Sequence, residues 1–221
     1  MNPIKATQIK ICCIASIEEA RLAIRCGASA LGFVSAMPSG PGTLPEDHIA
    51  EIVRTIPTGI SSFLLTSKQD AASIIVQQQR TLVNTLQLVD AVSNVTYKEL
   101  RKNLPNIKLV QVIHVMGKTS IDEAQAIAQY VDAVLLDSGN PRLVVKELGG
   151  TGRTHDWSIS RTIREVLNIP CYLAGGLNPE NVADAIARVG SFGLDVCGGV
   201  RTEGTLDEKK LEDFFRQART A

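Results

Sequence analysis

The sequence has no excess of charge of either sign. Lysine plus arginine and aspartate plus glutamate each number 23. No basic block and no interleaving of basic with aromatic residues occurs, so a nucleic-acid surface is not expected. No apolar run approaches the ~20 residues that span a bilayer, and a membrane partner is not expected either. The opening MNPIKATQIK lacks an apolar signal-peptide stretch, which points to the cytoplasm. Cysteine is sparse and odd in number, with five at 12, 13, 26, 171 and 197. Without an export signal, that count argues against a disulfide framework. C-x-x-C spacing is missing, and no metal site is expected. No linker or low-complexity segment interrupts the chain, so residues 1–221 read as one domain. The hydrophobic share, 44%, suffices for a sizeable core.

What is present is alternation. Apolar, β-branched runs at 8–14, 30–34, 59–65, 82–89, 107–115, 132–137, 170–175 and 193–197 read as strands. Amphipathic stretches follow each one: EEARLAIRC, 45–56, 69–80, 96–103, 120–130, 158–166, 178–189 and 207–218. Ser16 with Glu19 forms a capping-box pattern before the first helix, and Gly27 is suited to end it. Pro45 stands where a second helix starts. Strict alternation implies parallel strands, and strands apolar throughout imply helices on their outer face. Eight such units in 221 residues give an α/β fold, a single (β/α)8 TIM barrel, with an open doubly wound sheet as the competing fold. In such barrels chemistry sits at the C-terminal ends of the strands. Cys12 and Cys13 are adjacent on a strand, so alternation predicts that they point opposite ways; if Cys12 faces the pocket, Cys13 faces the helix layer.

Three glycine clusters follow the last three strands. Gly149-Gly150-Thr151-Gly152 follows strand six, Gly175-Gly176 strand seven, and Gly198-Gly199 strand eight. Glycine lets backbone N–H groups approach an anion without a β-carbon in the way. Barrels often hold phosphate in the loops after strands seven and eight. Gly150, Gly152, Gly175, Gly176, Gly198 and Gly199 are therefore candidates to bind the phosphate of a small molecule.

With these clusters go Lys10-Ile11-Cys12, Gly27-Ala28, Leu31-Gly32-Phe33-Val34, Leu135-Leu136-Asp137-Ser138, Asp156-Trp157, the run Leu173 to Val182, Gly193-Leu194-Asp195-Val196 and Gly199-Val200. In these residues the chain resembles the phosphoribosylanthranilate isomerases of tryptophan biosynthesis, across nearly its whole length. The resemblance implies an Amadori rearrangement of an aminoaldose phosphate to an aminoketose phosphate, with Asp137 as general acid and Cys12 as general base. It implies no cofactor. A carboxyl with a raised pKa can donate a proton near neutrality, and a thiolate can take one.

The resemblance breaks at three places. After strand two the family carries an arginine that holds the anthranilate carboxylate; here the segment 38–44 is PSGPGTL, with Gly42 aligned to the arginine. Glycine cannot make a bidentate contact with a carboxylate. After strand four Gln87-Leu88-Val89-Asp90 replaces Gln-Leu-His-Gly, and Cys13 replaces the glycine after the catalytic cysteine. Either another cation serves, with His114, Arg142, Arg153 and His155 as candidates for substrate contact, or the substrate lacks anthranilate. A related enzyme acting on another phosphorylated metabolite, or a non-catalytic binding paralogue, is the alternative.

Overall fold

Eight short strands pair in parallel and close into a ring. The computed structural model describes residues 7–221; the reading of residues 1–6 as free of an apolar leader lies outside the described residues. The strands are β1 (Gln8–Ile11), β2 (Ala30–Val34), β3 (Ser61–Thr66), β4 (Thr85–Leu88), β5 (Lys108–His114), β6 (Ala133–Asp137), β7 (Cys171–Leu173) and β8 (Gly193–Val196). Each pairs with the next, and β8 returns to β1 with Lys10 opposite Asp195 and Ile11 opposite Val196. The helices are α1 (Ile17–Cys26), α2 (Glu46–Val53), α3 (Ala71–Thr81), α4 (Asn94–Asn103), α5 (Thr119–Ile127), α6 (Trp157–Val166), α7 (Val182–Val189) and α8 (Glu208–Thr220). The expected (β/α)8 barrel is the fold observed. Among the described residues, no helix is long and apolar enough to cross a membrane.

Local chemistry sets the element ends. Ser16 Oγ accepts from Glu19 N at 3.1 Å, as the capping pattern predicts. The Glu19 carboxylate, however, reaches past the cap to Ala15 N at 2.9 Å. Gly27 ends α1 in the left-handed region, with φ +113°. The proline expected at the start of the second helix is its N-cap, Pro45. Most strands are shorter than their apolar runs, and in β4 and β1 a left-handed residue is the reason. α3 extends to Thr81 and is capped by Leu82 at φ +61°, so β4 begins only at Thr85. β1 stops at Ile11, because Cys13 also takes φ +61° and turns the chain out of the extended form. Beyond β8, a 3-10 turn (Gly198–Val200) and a hairpin of β9 (Arg201–Thr202) with β10 (Thr205–Leu206) occupy what the sequence reads as loop.

Two apolar layers result. The larger lies between strands and helices and includes Ile11, Leu31, Leu64, Leu86, Ile113, Leu136, Leu173 and Leu194 from the outward strand positions. The smaller fills the ring with Ala30, Phe63, Val110, Val112, Ala133 and Leu135. Among these interior residues lies an ion pair, Lys10 Nζ to Asp195 Oδ2 at 2.8 Å, with the lysine fully buried. Burial works to lower the lysine pKa, but Asp195 and Cys12 outweigh it and hold the ammonium above its ordinary value.

Candidate active site at the C-terminal mouth of the barrel

A cavity of about 360 Å³ opens at the C-terminal ends of the strands, within the usual range for small-molecule sites. Cys12 and Asp137 both line it, and so do all six candidate glycines. One wall is apolar, with Val34, Met37, Leu65, Val89 and Leu148, and carries the polar side chain of Gln87.

Asp137 ends β6 almost wholly buried. Ser138 N donates to its Oδ1 at 2.7 Å, and Gly149 and Gly175 pack beside its oxygens. A β-carbon on these glycines would stand 3.1 Å and 3.2 Å from them. Burial raises the Asp137 pKa; the Ser138 N–H and His114 work against it, and burial prevails. Cys12 leans across β2. A β-carbon on Gly32 would lie 2.9 Å from both Cys12 Sγ and Lys10 Nζ, so the ammonium stands beside the sulfur.

The expectation that Cys13 faces the helices is corrected. Cys13 lines the cavity together with Cys12. Alternation holds only within a strand, and β1 has ended; the positive φ of Cys13 swings its side chain back over the mouth. Its Sγ lies 2.7 Å from Cys197 Sγ. Arg201 holds this turn, donating to Cys13 O at 2.6 Å while paired with Glu19.

The glycines form a cradle by close approach. A β-carbon on Gly199 would lie 1.9 Å from Leu177 O, and one on Gly176 would lie 2.7 Å from the Arg153 backbone. Gly152, Gly175 and Gly176 have φ of +68°, +83° and +62°, which side-chain-bearing residues rarely adopt. The N–H groups of Gly152, Gly176 and Gly199 donate to no protein acceptor among the described residues.

The four candidates for substrate contact stand apart from the cavity. His114 is sealed beneath the loop after β6, where a β-carbon on Gly139 would lie 2.5 Å from its Nδ1, and its Nε2 lies 2.9 Å from Val89 O. Arg142 is exposed. Arg153 pairs with Glu147 at 2.5 Å and points to solvent. His155 bonds Ser160 Oγ at 2.6 Å in a separate hollow beside Trp157, and burial lowers its pKa to about 4. Among the described residues, no lysine, arginine or histidine lines the main cavity.

Sequence reasoning missed the loop clasp over the mouth. Ser39 Oγ donates to Lys146 O at 2.6 Å, and Lys146 Nζ pairs with Asp90 at 2.5 Å. It also gave no role to Asp195, which lines the cavity floor. A carboxylate amid the apolar residues of β8, two positions before the Cys197-Gly198-Gly199 end, was the available signal.

Known proteins share this architecture. The family model described as N-(5'phosphoribosyl)anthranilate (PRA) isomerase matches residues 9–217. N-(5'-phosphoribosyl)anthranilate isomerase 2 of Methanosarcina mazei is 37% identical over 214 residues, covering 96% of this chain and 94% of the relative. The isomerase of Methanothrix thermoacetophila is 33% identical, covering 97% and 99%. The crystal structure of phosphoribosyl anthranilate isomerase from Thermotoga maritima superposes with a TM-score of 0.81 at 26% identity, covering 97% of this chain and all of that one. Fold, mouth and sequence agree: the chain belongs to the N-(5'-phosphoribosyl)anthranilate isomerase family.

Proposed function

We propose that this protein isomerises N-(5'-phosphoribosyl)anthranilate to the corresponding aminoketose phosphate, acting as one cytoplasmic domain in tryptophan biosynthesis. The observation that carries the reading is that Cys12 and Asp137 line one cavity whose other end is walled by the six glycines. The phosphate accepts hydrogen bonds from the free N–H groups of Gly152, Gly176 and Gly199. Asp137 gives its proton to the ribose ring oxygen. The C1–O bond breaks as the amine lone pair forms an iminium. Cys12 Sγ then takes the proton from C2, and the electron pair left behind forms the enolamine, which tautomerises to the ketone. A carboxyl whose pKa burial raises suits the first step, and the neighbouring Lys10 ammonium places positive charge beside the sulfur in the second.

The test is complementation of a tryptophan auxotroph lacking this isomerase, together with a steady-state assay on freshly generated phosphoribosylanthranilate. Growth and turnover support the reading; failure of both, with phosphate binding intact, overturns it. One observation favours a second reading. Among the described residues, two carboxylates but no cation line the cavity, so an aminoaldose phosphate with an uncharged aglycone also fits.

A further inference from the structure

Cys13 and Cys197 come from the ends of adjoining strands, β1 and β8, and both line the cavity. Register alone would pair Cys197 with Cys12, since Ile11 is opposite Val196 and Cys12 N donates to Val196 O at 2.8 Å. The side chains sort differently. Cys12 Sγ leans toward Gly32 and Lys10. Cys13 turns through its positive φ onto Cys197, leaving the two sulfurs 2.7 Å apart. Bonded sulfurs sit ~2.04 Å apart, so joining them requires well under an ångström of motion. All five cysteines are free thiols.

We propose that Cys13 and Cys197 are a modification site at which a hydroperoxide forms a reversible intrachain disulfide on the cavity wall. The Cys197 thiolate attacks a peroxide oxygen, the O–O bond breaks, and a sulfenic acid and hydroxide result. Cys13 sulfur then displaces hydroxide from the sulfenic sulfur. Its thiol proton completes the water, so two thiols and one hydrogen peroxide give one disulfide and two waters. The roles follow the local chemistry: the hydrogen bond with Cys13 and the Arg201 guanidinium favour the Cys197 thiolate, while hydrogen bonds with Cys12 and Cys197, and then burial, push the Cys13 thiol pKa up. Arg201 also fixes the Cys13 backbone at its carbonyl, which holds the attacking sulfur in place.

The experiment treats the full chain with hydrogen peroxide, blocks remaining thiols, reduces with dithiothreitol and labels what reappears. Two of the five thiols should be recovered, from monomeric protein. A tryptic map before reduction should join the peptides 11–21 and 189–201, with fragment ions placing the bond on Cys13. Cys13→Ser should abolish the join, whereas Cys12→Ser should leave it intact. Five thiols still open to blocking after peroxide, a bond on Cys12 or a bond between chains would each overturn the proposal. The wild-type map decides the matter even where a variant does not fold. None of these readouts depends on turnover, so the outcome is separate from that of the isomerase assay.

Discussion

Asp137→Asn should move activity and stability in opposite directions. Asparagine keeps the shape, and its side-chain oxygen can still accept the Ser138 N–H that now reaches Asp137 Oδ1 at 2.7 Å. What it removes is the titrating proton. General acid–base groups contribute ~10²–10⁴-fold in rate, which at 1.36 kcal/mol per decade is ~3–5 kcal/mol of barrier; kcat/KM should fall by that factor. Stability runs the other way. Burial raises the folded-state pKa of Asp137 above its unfolded value. The wild type therefore has its full stability below the ordinary carboxylate pKa and loses part of it as pH rises through the folded value. The neutral asparagine bears no such loss. Urea unfolding should give equal stabilities for the two proteins near pH 3.5 and a growing advantage for the variant toward pH 8. In the wild type, kcat/KM should decline on the alkaline side as Asp137 ionises, and that limb should vanish in the variant's residual rate. A variant with wild-type turnover would remove Asp137 from the chemistry. A variant less stable than wild type at pH 8 would mean that Asp137 is held as a useful buried carboxylate, and the acid assignment would fail.

Further outcomes follow from the same geometry. Gly199→Ala drives a β-carbon against Leu177 O, and inorganic phosphate should bind at least about tenfold more weakly; an unchanged dissociation constant by calorimetry would take Gly199 out of the cradle. Lys10→Met leaves Asp195 charged, buried and unpaired, and should cost ~3–5 kcal/mol in urea unfolding, most of it recovered in Lys10→Met/Asp195→Leu. A single variant within 1 kcal/mol of wild type contradicts that. Because no cation among the described residues lines the cavity, replacing the anthranilate of the substrate by aniline should change kcat/KM by less than about tenfold, short of a charge-assisted bond. A loss of a hundredfold would instead point to a cation recruited from the rim, with Lys146 as the candidate. Peroxide-treated protein should turn over at least about tenfold more slowly and recover with dithiothreitol, since the new bond adjoins both Cys12 and the Gly198-Gly199 cradle; equal rates would show that the oxidised wall leaves the reacting groups in place.

The barrel was legible because each unit carries redundant signals. α1 has its serine cap, its closing glycine and an amphipathic face, and the structure uses all three. The need for glycine at three adjoining strand ends was legible, and close approach of backbone is what the structure shows at Gly176 and Gly199. Strand ends were less so. An apolar run cannot reveal a single left-handed residue that breaks it, and both Leu82 and Cys13 are such residues without being glycine. The positions of the cations were hard to read for a related reason. Sequence puts His114, Arg142, Arg153 and His155 near the mouth, but the fold of the 138–155 loop decides which point inward. It seals His114 and leaves Arg142 and Arg153 in solvent; His155 sits in its own hollow.

Two of the departures from the resemblance, at positions 13 and 42, meet in the folded chain. Cys13 stands where the resemblance implies glycine, and Gly42 where it implies arginine. In the folded chain these positions touch: a β-carbon on residue 42 would lie 2.8 Å from Cys13 Cβ and 3.2 Å from its Sγ. Gly42 also has φ +77°, a conformation that disfavours any side chain. A side chain at 42 therefore requires that position 13 have none, and the thiol at 13 requires glycine at 42. Cys13 in turn is held by Arg201 through its carbonyl and meets Cys197 at its sulfur. The wall that would carry a guanidinium has become a wall of sulfur. On the two readings proposed above, the residues that leave the cavity wall without a guanidinium are also those that build the thiol pair, and substrate preference and response to oxidants are both tested at this one spot.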